Sequence, residues 1–129
     1  MKKLLLSLLF IGVISAHAQN AILAKWTFEN ISITTSITGS NLTLDNGSSN
    51  NADEGVYATT SSFTAFHNDS QTIWSTPSGN GSSKSISATR WTADDYFQFK
   101  TSTTGQSNIF IQFDAASSGT GPKNFRIEY

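Results

Sequence analysis

Four short stretches of this chain alternate apolar and polar residues with a period of two, and that pattern constrains the fold more than any other feature. In "AKWTFEN", Ala24, Trp26 and Phe28 fall on one side, and Lys25, Thr27 and Glu29 on the other. In "DYFQFKT", Phe97 and Phe99 alternate with Tyr96, Gln98 and Lys100. In "NIFIQFDA", Ile109, Ile111 and Phe113 alternate with Phe110, Gln112 and Asp114. In "NFRIEY", Phe125, Ile127 and Tyr129 alternate with Asn124, Arg126 and Glu128. Successive side chains of a strand point to opposite faces, so each stretch reads as a strand with one apolar face. "KSISATRW" is a weaker fifth strand, and "ISITTSIT", β-branched almost throughout, is a sixth candidate. No stretch after residue 20 carries a helical stripe of useful length.

The strands are separated by polar loops. "DNGSSNNADEGVYATTSS" and "STPSGNGSSKS" make residues 38–84 loop-rich, with short strands near "NLTL" and "SFTAF". The strands at 96–101, 108–114 and 124–129 read as a meander. Gly119, Gly121 and Pro122 supply the turn chemistry that sends the chain back between the last two. Antiparallel strands so joined keep one face on a core and one face wet, and the apolar face needs a second layer to cover it. The expected fold class is all-β, an antiparallel β-sandwich of jelly-roll type.

Composition tests whether such a core can exist. Serine and threonine make 36 of 129 residues and only 13% are charged, which also suits a disordered stalk. The 9 Phe, 3 Trp and 3 Tyr decide against a stalk. Burying each large apolar side chain contributes ~1.5–3 kcal/mol, and leaving them all wet forfeits it. Cysteine is absent, which excludes a disulfide framework and a thiolate metal site.

The first twenty residues have a different logic. Lys2 and Lys3 precede an apolar run at 4–15, and Ala16, His17 and Ala18 form a small-x-small cleavage site. These are the three parts of a secretory signal peptide, expected as a helix over 1–18, with a β-sandwich domain over 19–129. The run is too short for a membrane helix, which needs ~20 residues. No second apolar segment of spanning length follows, so no membrane span is expected in the mature chain. Loss of two lysines leaves six basic against nine acidic residues, a formal charge of −3. That balance offers no footprint for nucleic acid, whose binding rests on phosphate neutralisation. Residues 19–129 suffice for one domain, burying roughly 65% of the surface of the unfolded chain.

A family resemblance enters through particular motifs. These are the Trp-x-Phe of "AKWTFEN", the glycine-rich "GNGSSKS", the strand "DYFQF", and the loop "SSGTGP" ahead of "FRIEY". Residues 23–129, and 79–129 most specifically, resemble a β-sandwich domain near the N-terminus of secreted multidomain proteins of the Bacteroidota type. The resemblance implies a module placed ahead of nuclease, phosphatase, lamin-tail or type IX sorting domains, with no catalytic residues of its own. It also implies further strands beyond Tyr129. On that ground the sandwich is expected to be incomplete at its C-terminus and a downstream domain to be missing.

Candidate chemistry is sparse. "GNGSSKS" lacks the glycine that a phosphate-binding loop needs before its lysine, because Ser83 stands there, so it reads as a turn. Asp94 and Asp95 would face opposite sides of a strand and read as a strand-initiating turn. His67, the single mature histidine, has Asp69 nearby but no evident nucleophile, and a triad needs three groups to converge. "LDNGSSNNADEG" gathers oxygen ligands, with Asp45, Asp53 and Glu54 as candidate ligands of a structural calcium. Its spacing does not match an EF-hand loop. Trp74, Trp91 and Tyr57, in or beside loops, are candidate platforms for an extracellular glycan or protein. Tryptophan is also a common core residue. Trp26 reads as core, Trp91 leans that way, and Trp74 stays open between the two roles.

Two functional readings follow. One is a secreted or cell-surface, non-catalytic binding or spacer module within a larger protein. The other is the N-terminal fragment of an extracellular hydrolase, a nuclease or phosphatase, whose catalytic domain lies elsewhere.

Overall fold

The computed structural model describes residues 20–33 and 38–129. The expected signal helix and the middle of "ISITTSIT" lie outside the described residues. The described residues are almost free of helix. A short 3-10 turn at Ala58–Thr60 precedes four strands: β1 (Ser62–Phe66), β2 (Trp74–Ser75), β3 (Ser87–Ala88) and β4 (Tyr96–Lys100). β1 pairs with β4 and β2 with β3, both antiparallel, giving two small sheets. Among the described residues no helix is long and apolar enough to cross a membrane.

The β1 and β4 pair shows how the pattern becomes structure. The register sets Phe63 opposite Phe99 and Ala65 opposite Phe97. Phe63 and Ala65 are buried, and the small Ala65 leaves room for its large partner. Ring centroids of Phe63 and Phe99 stand 4.9 Å apart, and those of Phe63 and Phe97 5.9 Å apart. Offset or tilted aromatic pairs at such distances add about 0.5–1.5 kcal/mol beyond area burial. Ile31, Ile33 and Trp74 complete the buried core, with Trp26, Phe28, Leu42, Leu44, Ile86 and Ala88 packed against it.

The outer edge of β1 is covered by neighbouring loops. His67 N donates to Ser40 O at 2.7 Å, Leu42 N to Ala65 O at 3.3 Å and Phe63 N to Asn50 O at 2.7 Å. "AKWTFEN" finds its partner in the loop read as irregular. Lys25 N donates to Glu54 O at 2.8 Å, Asp53 N to Lys25 O at 2.8 Å and Tyr57 N to Leu23 O at 2.9 Å. The two backbones approach so closely that a Cβ on Gly55 would sit 2.5 Å from Leu23 O. With its φ at +122°, that position accepts glycine alone without strain.

The alternation of "AKWTFEN" breaks at Phe28, whose φ of 63° is unusual for an aromatic residue. The turn it makes is closed by Ile31 N donating to Phe28 O at 3.1 Å. This is why Ile31, and not a continuation of the strand, drops into the core.

Residues 108–114 and 124–129, expected as the last two strands of a meander, hold no ladder. Past β4, the backbone-to-backbone hydrogen bonds among the described residues lie within two turns, Gln106 N to Thr103 O and Gly121 N to Ser118 O. Their apolar residues face solvent: Phe110 is 85% exposed and Ile111 65%. The described residues thus form antiparallel strands in two small sheets.

Candidate functional site

The outer face of the β1 and β4 sheet follows directly from its register. Three cross-strand pairs point away from the core: Ser62 with Lys100, Thr64 with Gln98, and Phe66 with Tyr96. The Phe66 and Tyr96 rings stand 5.8 Å apart, tilted by 32°. Thr64 Oγ1 donates to Gln98 Oε1 at 3.4 Å. Tyr96 is 47% exposed, and Thr64, Gln98 and Lys100 are exposed as well. The face therefore runs from an aromatic pair, through a hydroxyl and amide, to an ammonium group. At ~3.3 Å rise per residue, Tyr96 to Lys100 spans about 13 Å.

A buried polar cluster fixes the end of this sheet. His67 follows β1 and Asp95 precedes β4, and both side chains are fully buried. The imidazole lies between Trp74, at 4.7 Å, and Trp91, at 4.3 Å, edge-on to each. Its Nδ1 lies 3.4 Å from Asp95 Oδ2 and 3.3 Å from Thr72 Oγ1. Nε2 has no hydrogen-bond partner among the described residues, and the Thr89 backbone lies beside the ring without closing one.

Asp95 is held from every side. Its Oδ1 accepts from Asn68 N at 2.7 Å and Thr92 Oγ1 at 3.1 Å, and its Oδ2 accepts from Thr92 N at 2.6 Å. Burial alone would raise the Asp95 pKa, but these donors and the nearby His67 hold it below 3.8. Burial pulls the His67 pKa below 6.5, with Asp95 and the Thr89 backbone opposing it. The ring is accordingly neutral at pH 7.

This cluster does not have the geometry of a catalytic triad. Thr72 and Asp95 meet the same ring nitrogen, whereas a triad needs orienter and nucleophile on opposite nitrogens. The ring is also closed to solvent. The geometry joins the 67–72 loop to the 89–95 turn. Asp94, with φ at 68°, takes the turn that lets Asp95 point inward, which separates the two adjacent acids as expected.

The sequence candidates are dispersed. Trp74 is fully buried and its indole N–H donates to Gly39 O at 2.8 Å, so it offers no face to a ligand. Trp91 is half-buried, donates to Ala88 O at 3.0 Å and packs on Phe97 and Phe125. Tyr57 donates from its hydroxyl to Thr104 O at 3.3 Å and makes no ring contact with either tryptophan. Asp53 turns inward on its own chain. Its Oδ2 accepts from Thr27 N, Thr27 Oγ1 and Phe28 N at 2.6, 2.9 and 3.1 Å, and its Oδ1 from Asn30 Nδ2 at 3.0 Å. Burial opposes ionisation of Asp53, but these bonds win and keep its pKa low. Glu54 pairs with Lys25 at 3.1 Å. Asp45 N donates to Ser32 O at 3.0 Å, within a separate turn. Among the described residues no three His, Asp or Glu side chains converge on a common point.

"GNGSSKS" closes on Glu29. Ser83 donates to that carboxylate from both its backbone N–H, at 2.7 Å, and its hydroxyl. Lys84 Nζ donates to the Glu29 and Ile31 carbonyls at 3.0 and 2.8 Å. The loop is a clamp on the Phe28 turn, and its hydrogen bonds lower the Glu29 pKa. A shallow groove bounded by Leu42, Leu44, Ser48, Asn50 and Thr64 carries no ionisable side chain.

The outer face of β1 and β4 is what residue reasoning missed. The signal was present, since Tyr96, Gln98 and Lys100 alternate against Phe97 and Phe99. It lacked the partner strand that aligns Phe66 and Thr64 beside them. No family model, curated protein or solved structure matches this chain.

Proposed function

We propose that this chain is a secreted or cell-surface, non-catalytic β module of a larger protein, and that it binds a neutral glycan on the outer face of β1 and β4. One observation carries the reading: the exposed Tyr96, backed by the half-buried Phe66, stands in line with Thr64, Gln98 and Lys100. Aromatic rings combine apolar area with an orienting geometry, and Tyr adds a polar tip. A sugar ring has an apolar C–H face and a rim of hydroxyls, so it can stack on Tyr96 while Gln98 and Lys100 donate to its oxygens. The length of the face suits a short oligosaccharide rather than a single ring. The acidic excess of residues 19–129 disfavours a strongly anionic ligand, so the glycan is taken as neutral.

The signal-like N-terminus and the resemblance to secreted β modules support the extracellular setting. The alternating stretches support a sandwich of jelly-roll type around the two small sheets. Affinity electrophoresis through a panel of neutral polysaccharides tests the binding. The wild-type chain is expected to be retarded by at least one polysaccharide, with Tyr96→Ala and Gln98→Ala migrating freely and remaining folded. Equal retardation of the Tyr96→Ala variant, or no retardation of the wild type in any polysaccharide, would refute the assignment.

A further inference from the structure

We propose that residues 125–129 form an antiparallel strand pair with the same residues of a second copy, about a two-fold axis at Ile127. The stretch alternates Phe125, Ile127 and Tyr129 on one side with Arg126 and Glu128 on the other. Phe125 and Ile127 are 55% and 57% exposed, and the backbone of the stretch makes no hydrogen bond to backbone among the described residues. Phe125 packs edge-on against Trp91 at 5.8 Å, which anchors one end of the stretch to the folded body. Strands with unpaired backbone groups and an apolar face are templates for pairing with another chain.

The charges identify the occupant as a second copy and select its register. In an antiparallel pair, residues that face the same side of the ribbon must stand opposite each other. Centring on Ile127 sets Arg126 opposite the partner copy's Glu128 and, by symmetry, Glu128 opposite the partner copy's Arg126. Phe125 then faces the partner copy's Tyr129, and Ile127 faces itself. Centring on Arg126 would oppose two arginines, and centring on Glu128 two glutamates, both unfavourable. Arg126 and Glu128 pair with each other at 2.5 Å within one chain and are 81% and 70% exposed, so the two-fold contact exchanges one exposed ion pair per chain for two across the axis. Such an isologous contact closes on itself and stops at a dimer.

Two experiments on the full chain test this. In sedimentation velocity across a concentration series, the wild type is expected to pass from monomer to dimer. Arg126→Glu or Glu128→Arg alone places like charges opposite and should weaken dimerisation by roughly ten- to thirty-fold. The double swap should restore it. The chain has no cysteine, so Ile127→Cys introduces the sole thiol, and on the axis that thiol faces its own copy closely enough for a disulfide. Ile127→Cys should cross-link under mild oxidation and Ile111→Cys should not. A wild type that stays monomeric, that forms aggregates of no defined mass, or that dimerises equally well in the single charge reversals overturns the proposal. So does equal cross-linking, or none, from the two cysteine variants.

Discussion

β4 and the stretch at 108–114 carry the same alternation but lie in opposite environments. Phe97 and Phe99 of β4 meet Ala65 and Phe63 across a ladder; Phe97 packs on the core, and Phe99, though 49% exposed, holds its ring against Trp26, Phe28 and Phe63. Ile109, Ile111 and Phe113 have an equally regular pattern, yet they are 47%, 65% and 59% exposed and their backbone joins no ladder among the described residues. Propensity does not separate the two, since both are rich in phenylalanine. The difference lies in what stands beside them. β4 is preceded by Asp95, which is tied to Asn68 and Thr92 and so delivers β4 alongside β1. No such tie fixes the entrance to 108–114, and an amphipathic ribbon without a neighbour cannot bury its apolar side.

The sharpest way to break this comparison is to truncate one aromatic from each side of it. Phe63, 1% exposed and in ring contact with Phe28, Phe97 and Phe99, should cost about 3–5 kcal/mol as Phe63→Ala. Urea unfolding followed by tryptophan fluorescence measures it, and a loss below ~1 kcal/mol would mean that the core is not where the packing puts it.

Acid gives the next largest effect. His67 has a folded pKa below 6.5, so the unfolded chain takes up the proton first. Stability is then full above that value and declines as the pH falls below it. Asp95 has a folded pKa below 3.8, so its contribution is present above that value and is lost as pH falls through the lower, folded value. Asp53 and Glu29 add to the same acid limb. Urea midpoints should be flat above pH 7, fall gently from about pH 6.5 and fall steeply below about pH 4. His67→Gln should abolish the gentle limb and keep the steep one. A gentle limb that survives in His67→Gln would assign it to another group.

The smallest effect belongs to the exposed side. Phe110→Ser should change stability by less than ~0.5 kcal/mol, as surface substitutions do. A loss comparable to that of Phe63→Ala would show that 108–114 is packed in solution and would erase the contrast with β4.

Some of this was legible in the chain alone. Alternation at Trp26 and Phe97 marked residues packed on the core, and the missing glycine before Lys84 marked "GNGSSKS" as a turn, which the Glu29 clamp explains. The sites were harder to read. The hydrogen bonds that tie Asp53 to Thr27, Phe28 and Asn30 join residues more than twenty positions apart, which no local motif announces. Trp74, open between core and platform in the sequence, lies inside the core with its indole N–H donating to Gly39 O.

What the sequence determined by itself is local: strand character, which side of each ribbon is apolar, and where the chain must turn. A period of two and a glycine's freedom are properties of a few adjacent residues. The tertiary structure alone decided which ribbon lies beside which. It joined His67 to Asp95, aligned Phe66 with Tyr96, and left the ribbons beyond β4 uncovered. Those outcomes depend on contacts between residues distant in the chain, where burial and hydrogen bonding must outweigh the entropy of bringing segments together.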